Sequence, residues 1–232
     1  MNHLLLVFRG QSLTEEQQVC FSLYFGDPAP HVRDQRERPV PEIFVISNVS
    51  ENGEAIGALG SGELTFHSDL SYLPCPGSFS IVYAVEVPRV GGDTQWANAY
   101  AAYDALSSKT KERVVALTAV HRHGEDEQNP ALPAAHPVVV THPDTKRRAT
   151  FVNPQFTRYI EGVSKEESDV LLDSLLRHVT RPEFVWTHKW QPGDLVVWDN
   201  RCTMHRREPF DATERRILKR TQIFGDAPVL EP

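Results

Sequence analysis

Residues 184–224, FVWTHKWQPGDLVVWDNRCTMHRREPFDATERRILKRTQIF, contain three short apolar runs of the kind that form β-strands, at 184–190, 195–198 and 215–224. Similar short runs occur upstream, at 4–8, 42–49, 79–87, 136–142 and 148–153. Many short strands with only a few helical segments between them favour a β-sandwich or barrel over a parallel doubly wound sheet. The sequence therefore predicts a mainly β fold with peripheral α-helices.

The helical segments are marked by candidate N-caps. Thr14 and Ser164 are each followed three residues later by Gln or Glu, which is the spacing of a capping box, and Asn98 precedes the run AYAAYDAL. In the helix after Ser164, we expect Val170, Leu171 and Leu175 to form the buried face.

Length and composition are those of one globular domain. The chain has 232 residues, of which 40% are hydrophobic and 24% are charged, which is enough to bury a core of its own. The 17 prolines and 13 glycines are scattered between the apolar runs and form no linker. We therefore expect a single domain spanning residues 1–232.

Charge and cysteine content restrict the partners and the compartment. The formal net charge is -7, which opposes extensive binding to nucleic acid or to an anionic membrane surface. No apolar stretch approaches the length that spans a bilayer. The 3 cysteines are widely spaced and include no CxxC pair, as expected in a reducing compartment. The sequence thus predicts a cytoplasmic protein with neither a nucleic acid nor a membrane as its partner.

His67 and Asp69 are the first candidate functional residues. On an extended segment, residues i and i+2 point to the same side, so both side chains could reach one ion. Two histidines and one carboxylate on one face of an octahedron bind non-haem Fe(II) and leave positions for further ligands. Such a pair also arises by chance in a chain with 10 histidines, and a third ligand must come from elsewhere.

The C-terminal stretch supplies a third histidine and two arginines. His205 follows a buried-looking strand and has polar neighbours, where a histidine of the core would lack partners. Arg216 and Arg220 fall on one face of the last predicted strand, with Leu218 between them. Because arginine binds carboxylate and sulfonate groups in bidentate fashion, this pair predicts an anion site. A solvated basic edge strand is the alternative. A nucleic-acid patch is disfavoured by the acidic composition and by the lack of interleaved aromatic residues.

Several longer motifs together resemble one known family. They are LLLVFRGQSLTEEQQ, FHSDLSY, EVPRVGGDTQWANAYAAYDAL, HPVVVTHPDTKRRATFVNPQFTRYIEG, WDNRCTMHRREPF and ERRILKRTQIFGD. In order and spacing, they resemble the taurine dioxygenase/2,4-dichlorophenoxyacetate dioxygenase (TauD/TfdA) family of Fe(II)- and 2-oxoglutarate-dependent oxygenases over nearly the whole chain. The resemblance implies a double-stranded β-helix, a cupin-like jelly roll, with iron at its open end.

The resemblance also assigns residues to the metal and to the co-substrate. His67, Asp69 and His205 would be the iron ligands and thus the catalytic centre. Thr94, in the GGDT motif, and Arg216 would bind the distal carboxylate of 2-oxoglutarate.

At the substrate end, the chain follows the family less closely. Arg220 matches the arginine that binds the acidic group of the prime substrate, Phe156 matches an aromatic wall, and His31 falls near a histidine that taurine-type members use for the sulfonate. However, Asp34 stands where an aromatic residue is expected, and Glu63 where a neutral amide is expected. Because two added carboxylates would oppose binding of an anion, taurine is not expected to be the substrate.

The implied reaction is hydroxylation of a small organic acid with Fe(II), 2-oxoglutarate and O2, releasing succinate and CO2 (EC 1.14.11.-). Sulfonates, aryloxyalkanoates and alkyl sulfate esters are the substrate classes that the resemblance suggests. Where the hydroxylated carbon carries an ether, sulfonate or sulfate-ester group, the product collapses and releases that group. Members often associate, so a homo-oligomer is compatible with the resemblance, although the sequence identifies no interface.

Two other functions stay open at this point. Family members usually carry a further N-terminal stretch before the strand at residue 4, so the domain looks shortened at its start. A jelly-roll protein that binds a small molecule but has lost turnover is therefore one alternative. A zinc hydrolase that uses the histidine and aspartate ligands is the other.

Overall fold

The computed structural model describes residues 3–31, 38–124 and 133–231. The helices of this part of the chain are α1 (Glu15–Ser22), α2 (Ala99–Asp104), α3 (Ser108–Val114), α4 (Lys165–Val179) and a short 3-10 helix, Pro182–Phe184. The strands are β1 (Leu5–Phe8), β2 (Pro28–Ala29), β3 (Phe44–Ser47), β4 (Ser50–Glu51), β5 (Glu54–Ala55), β6 (Ala58–Leu59), β7 (Leu64–His67), β8 (Gly77–Glu86), β9 (Thr94–Asn98), β10 (Thr118–His121), β11 (Ala134–Pro137), β12 (Val139–Thr141), β13 (Arg148–Thr150), β14 (Thr157–Ile160), β15 (Val185–His188), β16 (Leu195–Asp199), β17 (Thr203–Arg207) and β18 (Ile217–Phe224).

The larger of two main sheets is built around the two longest strands. Its order is β1-β16-β8-β18-β3-β6, with β2 paired to the far end of β18. The pairings are antiparallel except for the parallel contact of β3 with β6. Both β8 and β18 are buried along most of their length, and the apolar ends of β18 flank a polar centre, Lys219–Gln222, in which only Lys219 is partly exposed.

The smaller sheet has the order β15-β9-β17-β7 and is antiparallel throughout. Its Trp96 packs into one apolar cluster with Phe44, Val82, Trp198 and Leu218 of the larger sheet. Two antiparallel sheets that enclose a shared apolar core form the predicted jelly roll, so the expectation of a mainly β fold is confirmed.

The helices pack beside this sandwich. Among the described residues, none that belongs to a helix takes part in the apolar cluster between the two sheets. A second apolar cluster joins α2 and α4 to the outer strands, with Tyr103, Ile160 and Leu175 among its members. No helix of the described residues is long and apolar enough to cross a membrane.

The three predicted N-caps begin helices as expected. Thr14 forms a complete capping box with Gln17, and the side chains of Asn98 and Ser164 accept hydrogen bonds from the first turns of α2 and α4. The predicted apolar face of α4 is partly wrong, because Val170 is 72% exposed. The buried face is formed by Leu172, Leu175 and Val179, with Leu171 partly buried at its edge, since the outer strands cover that side of the helix.

Candidate active site

The strands that carry the predicted metal ligands are neighbours in the smaller sheet. His67 ends β7 and lies directly opposite His205 on β17, and Asp69 follows two residues later. The Nε2 atom of His67 is 3.7 Å from Oδ1 of Asp69, and the Nε2 atom of His205 is 4.0 Å from Oδ2. The pairing of β7 with β17 therefore brings together two residues that are far apart in the sequence.

Hydrogen bonds orient these side chains towards a common point. The Nδ1 atom of His67 donates to the carbonyl oxygen of Thr65 over 2.8 Å, which assigns the proton to Nδ1 and the lone pair to Nε2. Ser80 donates to Oδ2 of Asp69 over 2.7 Å. One ligand atom from each of the three residues lies within 4.8 Å of the others. Two imidazoles and one carboxylate so placed fit an Fe(II) centre with open positions.

Burial and neighbouring charges set the protonation states of these ligands. Burial opposes ionisation of Asp69, but the positive charge of Arg220, helped by the neighbouring imidazoles of His205 and His67, outweighs it and holds the pKa of this carboxyl below its usual range. Burial, and then the proximity of His67, lowers the pKa of His205 to about 3. Because metals bind carboxylate and neutral imidazole, both residues are in their ligating forms at neutral pH.

Thr94 and Arg216 line a cavity that His67 and His205 also line. Arg216 is 2% exposed and donates from Nη2 to the carbonyl oxygen of Gly92 over 3.2 Å. Its Nε and Nη1 atoms have no hydrogen-bond partner among the described residues. Burial, and then the charge of Arg207, lowers the pKa of Arg216 to about 9. A buried guanidinium with two unused donors is suited to bind a carboxylate.

Trp190 directs the hydroxyl group of Thr94 within this cavity. The indole Nε1 donates to Oγ1 of Thr94 over 2.9 Å. Because an indole can only donate, the hydroxyl must accept this bond, and its own proton is left to donate to a further group. The two residues are 96 positions apart, so the sequence offers no signal for this contact.

Arg207, which was not predicted as a site residue, is a further buried arginine of the same cavity. It follows His205 by two positions on β17, and residues at i and i+2 of a strand share a face. That alternation is the signal that would have separated Arg207 from its exposed basic neighbours.

A second cavity adjoins the metal ligands, and Arg220 lines both cavities. The three residues predicted at the substrate end, Arg220, Phe156 and His31, all line this second cavity. The ring of Phe156 meets that of Tyr72 edge-on at 4.9 Å between centroids, and the ring of His31 lies 4.3 Å from that of Phe44. The cavity is thus aromatic and apolar apart from a few polar groups, one of which is the Arg220 guanidinium.

Of the two carboxylates expected to oppose an anion, only Glu63 belongs to the described part of the chain, and it lies outside this cavity. Asp34 lies outside the described residues. Glu63 is exposed and accepts a hydrogen bond from Nη1 of Arg206 over 3.1 Å, and it is not among the described lining residues. The ion pair with Arg206 holds Glu63 at the surface, so this residue does not place a charge in the cavity.

A second group of ligand-type residues, His142, Asp199 and Cys202, is also buried. Two backbone amides donate to Nδ1 of His142, and its Nε2 donates to Asp199 over 3.0 Å. Arg201 binds both oxygens of Asp199. Since burial raises the pKa of the Cys202 thiol and the imidazole is fully hydrogen-bonded, this group is a structural network.

The sequence matches a family model described as "Taurine catabolism dioxygenase TauD, TfdA family" over residues 1–222. The α-ketoglutarate-dependent 2,4-dichlorophenoxyacetate dioxygenase of Cupriavidus pinatubonensis is 35% identical over 97% of this chain and 85% of that protein. The α-ketoglutarate-dependent sulfate ester dioxygenase of Pseudomonas putida is 30% identical over 99% of this chain and 79% of that protein.

Solved structures show the same relationship. A taurine dioxygenase from Burkholderia xenovorans superposes with a TM-score of 0.83 and 38% identity, over 97% of this chain and 78% of that one. AAD-2, solved with Mn(II) and N-oxalylglycine, gives a TM-score of 0.80 and 33% identity, over 98% of this chain and 84% of that one. These matches confirm the resemblance and the jelly roll inferred from the sequence motifs. The chain belongs to the taurine catabolism dioxygenase TauD, TfdA family, whose named relatives are α-ketoglutarate-dependent dioxygenases.

Proposed function

We propose that this protein is an Fe(II)- and 2-oxoglutarate-dependent dioxygenase that hydroxylates a small organic acid. The observation that carries the proposal is the placement of His67, Asp69 and His205 between two cavities of different chemistry. One cavity presents the unpaired donors of buried Arg216, and the other presents aromatic side chains together with Arg220. The first suits a co-substrate with a distal carboxylate, and the second suits an acid with an apolar body.

In this proposal, His67, Asp69 and His205 hold the iron. Thr94 and Arg216 bind the distal carboxylate of 2-oxoglutarate, whose keto-acid end faces the metal ligands. When bound, iron supplies the oxygen chemistry: one oxygen atom of O2 ends in succinate as CO2 is lost, and the other becomes the hydroxyl group of the product.

The remaining residues select and orient the substrate. Arg220 binds the acidic group, and Phe156 and Tyr72 pack against the apolar body and exclude water from it. A C–H bond of the bound acid is thereby presented to the metal centre. If the hydroxylated carbon also bears an ether or ester oxygen, the resulting hemiacetal-type product breaks down to a carbonyl compound and releases the oxygen-linked group.

The lining of the second cavity favours one kind of acid. Asp69 is the one carboxylate among its described lining residues, and it belongs to the metal centre. A substrate ammonium group, such as that of taurine, would therefore find no carboxylate other than Asp69 among the described lining residues. We propose that an aryloxyalkanoate or an alkyl sulfate ester binds better than taurine.

The test is succinate release and O2 consumption by the Fe(II)-loaded protein across a panel of aryloxyacetates, alkyl sulfate esters and sulfonates that includes taurine. We expect an aryloxyacetate or an alkyl sulfate ester to be turned over with the highest kcat/KM, and the Asp69→Ala variant to release no succinate. Preference for taurine would contradict the substrate assignment. If folded, iron-loaded protein binds these acids without releasing succinate, the chain is a binding protein and the enzymatic proposal is wrong.

A further inference from the structure

Two buried arginines share the cavity that we assign to 2-oxoglutarate. Arg207 is 4% exposed and Arg216 is 2% exposed. In each guanidinium group, Nε and Nη1 have no hydrogen-bond partner among the described residues. The third nitrogen, Nη2, donates to the carbonyl oxygen of Gly62 in Arg207 and to that of Gly92 in Arg216. Four buried donors in this cavity are thus unused.

Strand pairing places Arg207 at the same end of the cavity as the other co-substrate residues. In the pairing of β17 with β9, Arg207 lies directly opposite Thr94, so their side chains share one face of the sheet. Arg207 and Arg216 also lie against the same ring, with their guanidinium carbons 5.4 and 5.8 Å from the centroid of Phe210. Arg206, by contrast, points to the other face and binds Gln95 and Glu63.

Neither guanidinium group forms an ion pair among the described residues, and the charge of Asp93 offsets that of Arg216 only in part, so the two buried charges destabilise the unliganded protein. Burial of a guanidinium is costly unless an anion replaces the lost hydration, and the two like charges repel each other. One carboxylate has acceptor sites for both guanidinium groups and for the hydroxyl group of Thr94, so a single anion can satisfy this end of the cavity.

We infer that Arg207 is a second arginine for the distal carboxylate of 2-oxoglutarate, acting together with Arg216. The inference rests on the proposed function, since it assigns a further residue to the same co-substrate site. It predicts that Arg207 distinguishes keto acids that have a second carboxylate from those that lack one.

The experiment compares Arg207→Met with Arg206→Met, a matched change at the neighbouring position of the same strand. Both variants and the wild-type protein are loaded with Mn(II), and 2-oxoglutarate binding is measured by calorimetry. We expect Arg207→Met to weaken binding about 10- to 100-fold, as for loss of a hydrogen bond to a charged group, and Arg206→Met to leave it unchanged. Thermal-shift titration with 2-oxobutyrate, which has the keto-acid end but no distal carboxylate, should give the same apparent affinity for all three proteins.

Three results would overturn the inference. The first is unchanged 2-oxoglutarate binding by Arg207→Met. The second is equal weakening for 2-oxoglutarate and 2-oxobutyrate, which would show that Arg207 only holds the backbone at Gly62. The third concerns a second variant, Arg207→Lys, which keeps the charge and should bind more tightly than Arg207→Met. A Lys variant no better than the Met variant would exclude a role for the charge. If the wild-type protein itself binds no 2-oxoglutarate, the proposed function fails instead.

Discussion

The Nη1 atom of Arg220 lies 3.0 Å from the Oδ1 atom of Asp69, and both side chains are buried. The arginine that we assign to the acidic group of the substrate is therefore also the partner of the carboxylate that we assign to the metal. Its Nε atom has no hydrogen-bond partner among the described residues, which leaves a donor for a substrate anion. One residue thus connects the metal centre with the substrate cavity.

Replacement of Arg220 by Met should destabilise the metal-free protein by about 3 kcal/mol, because it leaves the buried Asp69 carboxylate without its ionic partner. The free energy of unfolding, measured by chemical denaturation at pH 7, tests this. In an Asp69→Asn background the same replacement should cost clearly less. Equal costs in both backgrounds would show that the ion pair is not what stabilises this region.

Lys219→Met is the matched control for that experiment. Lys219 adjoins Arg220 on β18 but pairs with Glu15 over 3.0 Å at a partly exposed position. Since such pairs contribute little, we expect a change within about 1 kcal/mol.

The Trp190→Phe variant should bind 2-oxoglutarate about 2- to 10-fold more weakly, because the Thr94 hydroxyl loses the donor that directs its proton into the cavity. Calorimetry on the Mn(II)-loaded protein measures this. Once Thr94 is replaced by Val, the Trp190→Phe change should have no further effect. Trp186→Phe is the control, since Trp186 is 47% exposed; a similar loss in that variant would argue against the proposed orientation of Thr94.

The Phe156→Leu variant tests the aromatic wall of the substrate cavity. Loss of the ring should lower kcat/KM for an aryloxyacetate about 2- to 10-fold, the range of an aromatic contact, and leave that for a small aliphatic sulfonate nearly unchanged. Tyr159→Leu, at an exposed position of β14, should change neither value. Parallel losses for both substrates in the Phe156 variant would show a general disturbance of the site.

Acid should destabilise the protein in part through His121. Burial, and then the proximity of His136, lowers the pKa of His121 to about 3, whereas a histidine in the unfolded chain has a pKa of about 6.5. Between these values the unfolded chain binds a proton that the folded chain does not, so stability is lost as the pH falls, by about 1.4 kcal/mol per pH unit. Denaturation curves between pH 6.5 and 4 should show a shallower dependence in His121→Asn. An identical slope in both proteins would contradict this account.

Local patterns predicted much of the fold and singled out His67, Asp69 and His205, which the structure brings together. The i, i+2 spacing of His67 and Asp69 depends only on strand geometry, and the caps at Thr14, Asn98 and Ser164 depend on neighbouring residues. Such features depend only on residues a few positions apart. The buried face of α4 was predicted less well, because tertiary packing decides which side of a helix the neighbouring strands cover. Here they cover Leu172 and leave Val170 exposed.

The contacts that give the site its chemistry are not local. Trp190 meets Thr94, and Arg220 meets Asp69, only because distant strands pair and face each other. Arg207 adjoins the equally basic Arg206 in the sequence, and only its position opposite Thr94 in the sheet distinguishes the two. Glu63 was expected near the substrate from its position in the sequence, but a surface ion pair with Arg206 holds its charge outside the cavity.

The most direct test of the central claim is the visible absorption spectrum of the protein with Fe(II) and 2-oxoglutarate under anaerobic conditions. If His67, Asp69 and His205 hold an iron to which 2-oxoglutarate binds, the wild-type protein should show a weak charge-transfer band that substrate perturbs and that disappears on exposure to O2. The Asp69→Ala and His67→Ala variants should show no band. A folded wild-type protein without the band, or a band of equal strength in Asp69→Ala, would contradict the account.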